Sequence, residues 1–584
     1  MTLKIINGVH VYHAFVAGAK KIIQQKSFLN RINVFPVPDG DTGTNMAAMM
    51  QRIINDAVIT EHLGDALESI SSAAISGSRG NSGIIFSEYL NGIYEKLQDV
   101  KEADVQTFHE AVLHGIKKAY AAIQNPVEGT ILTVFRKAFI MTPEIDDFVT
   151  YFSTIKMQAE TALADTSKQL EVLRLNKVVD AGAQGLASFI DGITYYFTNG
   201  IEEVLTDQED DISIDHHVTN GTITERYCTE VLLKDCKKNT LEVKTLLIKY
   251  GSSLVVSGRP SKMRVHIHTN DPSQIVFELR KIGEILEQKV DDMIRQNHTV
   301  NKEHPRIAIV TDSIADLPLA LADRYQIHMI PMYLIADDIS YLDKLTITAQ
   351  TFYKLMDSSK SLSSSQPDKL TIERNLSALL EHYDHILVVT VASRLSGTFN
   401  AIHQFSKLHP KIVVFDSKQN SGAQGLVVLK ACELIEAGVP ITEIIPLLED
   451  FTNRTKIYVS VKTLKYMVKM GRVSKVTGLV GKIINLKPVI GLSPEGAGVI
   501  SAKAFSLRGN VKQIMKLLSK GEVENYAIVH SLAGERAQKL AKLIEKKTGI
   551  KPLYTELISP IVAMNAGIGA VAVAVTFKEE VSHA

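Results

Sequence analysis

Asn33-Val34-Phe35-Pro36-Val37-Pro38-Asp39-Gly40-Asp41-Thr42-Gly43-Thr44-Asn45-Met46 puts two carboxylates two residues apart, with Gly40 between them and Gly43 just after. Hard cations such as Mg²⁺ and Ca²⁺ take oxygen ligands, and glycine lets the backbone fold closely around an ion. An EF-hand is excluded, because a loop counted from Asp39 puts Met50 where a bidentate Glu is required. The short ligand set suits Mg²⁺, which keeps waters and takes phosphate oxygens as its remaining ligands. An Asp-Gly turn behind a proline-restricted segment accounts for the same residues without a metal. Spacing alone leaves both readings open.

The surrounding sequence, over residues 1–200, reads as all-α. Tyr12, Phe15, Val16, Ala19, Ile22 and Ile23 recur at helical spacing. Further helices are expected near 84–98, 104–124, 150–170 and 183–198, with no convincing strand alternation. Gly77-Ser78-Arg79-Gly80-Asn81-Ser82-Gly83 precedes one of these helices. Glycines at a helix start expose backbone N–H groups and the positive dipole end, which suits phosphate. No Lys-Ser or Lys-Thr follows, so this is not a Walker A loop, and tight helix packing explains such glycines equally well. Pro126-Val127-Glu128-Gly129-Thr130 and Asp180-Ala181-Gly182-Ala183-Gln184-Gly185 are two more such loops, and Asp180 also fits a plain helix N-cap.

The Asn33–Met46 stretch resembles the signature of the dihydroxyacetone-kinase L-subunit-like domain, in the form found in the ATP-binding protein of bacterial fatty acid kinase. The resemblance covers residues 1–200. It implies a helical barrel whose loops gather at one end around ATP, with aspartates holding Mg²⁺ against the phosphates. Those roles fall on Asp39 and Asp41, with Asn33 as a third contact; the glycerone-type relatives carry Asp there with different spacing. Ser82 and Gly83 would touch the phosphates, Thr130 would lie near the nucleotide, and Asn45, Gly80 and Asn81 are further cofactor-binding positions. Asp180 and Gly182 would line its ribose or adenine side. Arg79 joins the aspartates in the catalytic set, as a cation for the transferring phosphoryl group.

Composition bounds the rest. At 584 residues the chain has room for about three or four domains. Its 45% hydrophobic and 22% charged content is that of an ordinary globular protein. A formal net charge of zero argues against nucleic acid or an anionic membrane held by bulk electrostatics. Cys228, Cys236 and Cys432 are too few and scattered for a disulfide framework, which predicts a reducing, cytoplasmic location. No signal peptide is evident, and no apolar run approaches the ~18 residues of a membrane span, so a lipid substrate is expected to be met from the aqueous side.

Beyond an acidic stretch, Glu202 through Asp215, that reads as a linker, a small α+β domain is expected over 220–298. Tyr227–Leu233, Ser252–Val256 and Met263–Thr269 look like strands. His266 and His268 alternate with Val265 and Ile267, so both imidazoles leave one strand face. With Cys228 on another strand they are candidate zinc ligands with a fourth position unassigned; a paired-histidine surface feature is the plainer alternative. The same three residues resemble the zinc ligands of the fatty acid kinase middle domain, which implies structural Zn²⁺. Cys236 fits no ligand pattern.

Residues 305–584 read as α/β. Short apolar runs end in polar residues: Ile307–Val310, Ile386–Val391, Ile412–Phe415 and Ala527–Val529. Buried parallel strands have this pattern, with ligands beyond their carboxyl ends. The region resembles the DegV family of fatty-acid-binding proteins, through Val310–Pro318, Ser364-Ser365-Gln366-Pro367, Ser393–Phe399, Asp416-Ser417 with Gly422–Gly425, and Gly471-Arg472-Val473 with Lys487-Pro488. The resemblance implies that Ser364 and Ser396, with the Gly397 N–H, hold an acyl carboxylate. Asn565 stands where the family usually has His, and can donate a hydrogen bond but carries no charge.

Together these readings predict an ATP- and Mg²⁺-dependent kinase that converts a fatty acid carboxylate to an acyl phosphate. The acyl chain is expected on the third domain or on a separate DegV-type carrier. By resemblance, homodimerisation and a downstream acyltransferase of phospholipid synthesis are also implied. The alternatives are a kinase for a small polyol such as dihydroxyacetone, and a non-enzymatic nucleotide- or lipid-sensing module.

Overall fold

The computed structural model describes residues 2–140, 144–200, 223–301, 304–463, 466–467, 470 and 487–579. The acidic stretch from Glu202 to Asp215 and the Gly471-Arg472-Val473 segment lie outside the described residues. The chain forms two compact units, Met1–Lys302 and Glu303–Ala584.

The first unit opens with helices α1 (Gly8–Gln24), α2 (Lys26–Arg31), α3 (Thr42–Asp56), α4 (Leu63–Gly77) and α5 (Gly80–Leu97). They continue as α6 (Val105–Ala122), α7 (Ile131–Ala138), α8 (Phe148–Gln169), α9 (Glu171–Asn176) and α10 (Ala181–Asn199). Side-chain caps fix where several begin. Asn7 forms a reciprocal capping box with His10 before α1, and Asp104, Thr130, Asp147 and Asp180 cap α6, α7, α8 and α10. Each such cap contributes about 1 kcal/mol. The apolar faces meet around an aromatic centre in which the Phe86 and Phe189 rings stand 4.9 Å apart and nearly perpendicular; burying each ring stabilises by roughly 1.5–3 kcal/mol. Helices α1 and α10 approach closely, since a Cβ on Gly192 would come within 2.6 Å of the Gly18 Cα.

The region is not wholly helical. Strand β1 (Ile5–Asn7) pairs antiparallel with β2 (Glu102–Asp104). Three residues per strand are too few to show alternation, so periodicity alone does not reveal them.

The same unit contains an antiparallel sheet of β3 (Tyr227–Lys234), β4 (Ser252–Arg259), β5 (Lys262–Thr269) and β6 (Glu284–Asp292), in the order β4-β5-β3-β6. The three expected strands are present. The fourth, β6, was not anticipated. The sheet is locked to the helices by buried polar contacts: the Gly258 N–H donates to Glu88 on α5 at 2.7 Å, and the Ser87 and Ser257 hydroxyls meet at 2.9 Å. Arg264, fully buried, donates to the Ile75 and Ser76 carbonyls at the end of α4 and pairs with Glu287.

Among the described residues the second unit contains three sheets. A parallel sheet has the order β13-β12-β7-β8, with β7 Ile307–Asp312, β8 His328–Ile330, β12 His385–Thr390 and β13 Ile412–Asp416. A small antiparallel sheet joins β9 (Tyr333–Ala336), β10 (Ile339–Leu342) and β11 (Leu362–Ser365). A six-stranded sheet runs β16-β15-β14-β19-β17-β18, from β14 Thr455–Ser460, β15 Val489–Leu492, β16 Gly498–Ala502, β17 Val523–His530, β18 Thr555–Leu557 and β19 Val571–Phe577. Three of the four apolar runs therefore lie in one parallel sheet, as expected. The fourth does not. Strand β17 pairs antiparallel with β19 and parallel only with the short β18, because burial on both faces makes a central strand of a mixed sheet read like a parallel one.

Buried carboxylates join these sheets. Asp312 accepts from the backbone N–H of Ile314 and Val391 and from Gln424. Asp316 accepts from the Ser559 N–H at 2.8 Å and the Ser421 hydroxyl at 2.5 Å, and Asp343 accepts from the Ser313 hydroxyl at 2.8 Å.

Candidate functional site

In the first unit the chain turns sharply at Gly40, whose φ of +67° favours glycine, and delivers Asp39 and Asp41 to the start of α3. Asn33, 4% exposed, donates from its amide to Asp39 at 2.5 Å and accepts from the Thr42 hydroxyl at 2.8 Å, so it braces the turn. Burial, with the Asp41 carboxylate beside it, pushes Asp39 well above the usual carboxylate range. Burial also raises Asp41, against the pull of Lys289. Two crowded carboxylates are costly unless protonated or bridged by a cation, so the pair suits a divalent ion.

The glycine loops converge on this pair. A Cβ on Gly80 would meet the Asn45 amide at 2.8 Å, and one on Gly182 would meet the Ser82 hydroxyl at 2.5 Å. The start of α10 therefore lies against the start of α5. Asp180 caps α10 by accepting from the Ala183 N–H at 2.8 Å, and also faces the Ile131 N–H at the start of α7; burial pushes it up to about 7. Thr130 caps α7 through the Leu132 N–H. The plain N-cap reading of Asp180 thus holds in this structure. Asn33, Asp39, Asp41, Asn45, Gly80, Ser82, Thr130, Asp180 and Gly182 thus lie in loops and first helical turns that meet one another. Arg79 is engaged by the sheet. One nitrogen donates to Glu287 at 2.5 Å, while Nη1 is buried with no partner, as is the Asn81 carbonyl.

The sheet supplies residues that sequence motifs did not assign. Across β3, Glu230 stands opposite His266 on β5 and Lys289 on β6. Glu230 is fully buried, and its Oε1 accepts from the Gly80 N–H at 2.5 Å and lies 3.3 Å from His266 Nδ1. Burial alone would raise Glu230, but Lys289, His266 and Arg79 outweigh it and hold the carboxyl well below its usual range. Lys289 pairs with Asp291 at 2.5 Å. The signal for Glu230 was present: Cys228 and Glu230 are two residues apart on a strand and so share a face.

On that face Cys228, His266 and His268 come together, with ligand atoms all within 4.8 Å of one another. The Cys228 sulfur is 3.6 Å from His266 Nδ1, and His266 Nε2 is buried without a partner. Ligand atoms around tetrahedral zinc stand about 3–4 Å apart, so the three residues fit such an ion with small adjustment. Burial, reinforced by Glu230, pushes the Cys228 thiol well up, and burial lowers His268 to about 3. The neutral imidazole suits a metal, and a bound cation would reverse the penalty on the thiolate.

In the second unit a cavity of about 430 Å³ opens between the parallel and mixed sheets. Ser364, Ser396, Gly397 and Asn565 all line it. Most of the wall is apolar, including Ile457, Val459, Ile490, Val529, Ile561 and Ala572. Ser396 shares a 2.8 Å hydrogen bond with the Thr398 hydroxyl, and Gly397 is pressed against the Gln366 amide, which a Cβ would strike. Asn565 donates to the Ile561 carbonyl at 2.7 Å, and its own carbonyl oxygen is buried without a partner. Arg394 and His530 also line the cavity. His530 arrives from the end of β17, outside the motifs that pointed to the other four.

Three family models match this one chain in series. Residues 36–195 match the DAK2 domain, residues 224–300 the FakA-like middle domain of fatty acid kinase, and residues 306–578 the uncharacterised DegV protein family. The chain thus combines DAK2, FakA-like and DegV regions. Protein YloV of Bacillus subtilis is 32% identical over 318 residues, covering 51% of this chain and 57% of the relative. An uncharacterised protein of Staphylococcus saprophyticus is 32% identical over 320 residues, with the same coverage. The chain therefore spans little more than half the length of these relatives. Among solved structures, DegV, a fatty acid binding protein from Bacillus subtilis, is 26% identical, covering 47% of this chain and 100% of that one with a TM-score of 0.44. A fatty acid binding DegV family protein from Streptococcus agalactiae is 26% identical, covering 47% and 99%, with a TM-score of 0.43. No helix among the described residues is long and apolar enough to cross a membrane.

Proposed function

We propose that the chain transfers the terminal phosphoryl group of ATP to the carboxylate of a fatty acid, giving an acyl phosphate. The observation that carries this reading is the joining, in one chain, of a paired-carboxylate site at converging helix starts with an apolar cavity edged by serine hydroxyls. Asp39 and Asp41 would hold Mg²⁺, which when bound supplies positive charge against the phosphates. Asn33 fixes the angle of Asp39, and the N–H groups at the starts of α5 and α10 offer donors to phosphate oxygens. A fatty acid carboxylate, with a pKa of about 4–5, is already ionised near neutral pH, so the chain needs no general base. Its task is to position two anions in line and neutralise them. Cys228, His266 and His268 would hold Zn²⁺, adding a fixed charge near the same site.

In the second unit the apolar walls would take the acyl chain, and Ser364, Ser396 and the Gly397 N–H its carboxylate. Sharing a chain would raise the effective concentration of acceptor at donor. The test is to incubate the full chain with Mg·ATP and a long-chain fatty acid and to trap acyl phosphate with hydroxylamine. Hydroxamate is expected from this chain alone. Hydroxamate only after adding a separate DegV-type protein would reassign the acceptor site. None in either case would overturn the reading in favour of a polyol kinase or a sensor.

A further inference from the structure

We propose that Glu230 couples occupancy of the Cys228–His266–His268 cluster to phosphate binding at the start of α5. This rests on the nucleotide reading above. Glu230 touches both places with one atom: the same oxygen accepts from the Gly80 N–H and faces His266 Nδ1. Gly80 is the first residue of an 18-residue helix, and its φ of +60° turns that N–H toward the sheet. Helix starts of this length attract anions, and here the anion supplied is the protein's own.

A second observation concerns unpartnered groups at the same place. Around this contact four polar atoms are buried without partners: Glu230 Oε2, His266 Nε2, Arg79 Nη1 and Asn81 Oδ1. Glu230 and His266 are 0% and 1% exposed, so bulk solvent does not reach them. Unpaired buried polar groups are costly and uncommon, and four together mark a site built for something more than its own side chains.

The coupling has a definite sign. With the cluster metal-free, the Glu230 carboxylate occupies the Gly80 N–H and places a negative charge where a phosphate would bind. A divalent cation held by Cys228, His266 and His268 would add positive charge beside Glu230 and so offset its repulsion of a phosphate. Metal should therefore tighten nucleotide binding, and by thermodynamic reciprocity nucleotide should tighten metal binding by the same factor. Glu230 acts here as a positioning residue, through the Gly80 N–H.

The experiment uses the full chain, stripped of transition metal by a chelator, dialysed, and returned to Mg²⁺. Binding of a β,γ-imido analogue of ATP is measured by calorimetry with and without one equivalent of Zn²⁺. Zinc affinity is measured with a chromophoric competitor, with and without the analogue. In the parent chain each ligand should tighten the other by about five- to tenfold; this arm needs no variant. Glu230→Gln keeps an acceptor for the Gly80 N–H but removes the charge. It should bind the analogue more tightly than the parent when both are zinc-free, and show less than about twofold coupling. Equal coupling in parent and variant, or none in the parent, overturns the proposal. So does a variant that loses zinc affinity with unchanged zinc-free nucleotide binding, which would make Glu230 a plain metal ligand. If the analogue does not bind any form, the nucleotide reading itself falls and this inference falls with it.

Discussion

The molecule's two candidate sites are built by opposite means. The first gathers charge: Asp39, Asp41, Glu230, Lys289 and Asp291 crowd together where loops and strands meet, and almost every group is held by another. The second gathers emptiness, a cavity of about 430 Å³ whose walls are mostly aliphatic. The difference teaches which physical term sets affinity in each place. In the first site a single charge should matter greatly, because burial strengthens every electrostatic term. In the second, shape and apolar area should dominate, with polar atoms serving orientation.

The largest test of that contrast is Asp41→Ala. It should lower hydroxylamine-trapped product by roughly 10²- to 10³-fold, while fatty acid binding, followed by displacement of a fluorescent fatty acid, stays unchanged. A parallel loss of fatty acid binding would break the comparison. The converse is Ala572→Phe, on the cavity wall. A benzyl group there displaces about four methylenes of an acyl chain at ~0.8 kcal/mol each, so long-chain binding should weaken by about 10²-fold. Nucleotide affinity should not move.

A third test asks whether charge is costly even in the structural part of the first unit. Glu88, buried beneath Gly258, is pushed up to about 7 by burial. Its unfolded value is the ordinary one, so between the two the folded state binds more protons, and stability falls as pH rises from about 4.5 to 7. Glu88→Gln keeps an acceptor for the Gly258 N–H and should remove that slope. At neutral pH it should gain about 3 kcal/mol, read from melting midpoints over that pH range. A slope as steep in the variant as in the parent would refute the assignment. The smallest effect is expected at the hydroxyls of the second site. Ser364→Ala and Ser396→Ala should each weaken fatty acid binding by about fivefold, the worth of one hydrogen bond near 1 kcal/mol, without altering chain-length preference. A hundredfold loss from either would mean that the cavity also depends on charge.

The same contrast explains what was legible in the sequence. Asp39 and Asp41 lie in one loop, so local spacing exposed them. Apolar runs such as Ile386–Val391 announced buried strands because burial on both faces leaves a continuous hydrophobic stretch. Strand β6 was illegible because Glu287, Lys289 and Asp291 take positions where apolar residues would have shown alternation. Lys289 meets Asp291 on its own strand, but the other partners lie far away in sequence: Glu287 takes Arg79, and Lys289 faces Glu230. Arg79 looked free for chemistry for the same reason. Ser364, Ser396, Gly397 and Asn565 were found through motifs, whereas His530 needed the fold to bring the end of β17 to the same cavity.

The buried carboxylates of the second unit bear on the order in which the chain can be made. Asp316 accepts from the N–H of Ser559, 243 residues later, and Ile558, Ile561, Asn565 and Ala572 close the cavity from the same late stretch. During synthesis the parallel sheet can be completed once residue 416 is available, but its cavity cannot. A chain halted at residue 550 would hold the whole parallel sheet and no closed pocket, with Asp316 lacking its Ser559 partner. Such long-range closure is slow and exposes apolar wall until it occurs. On the proposed function, fatty acid binding would double as a signal that residues 558–572 have arrived and folded.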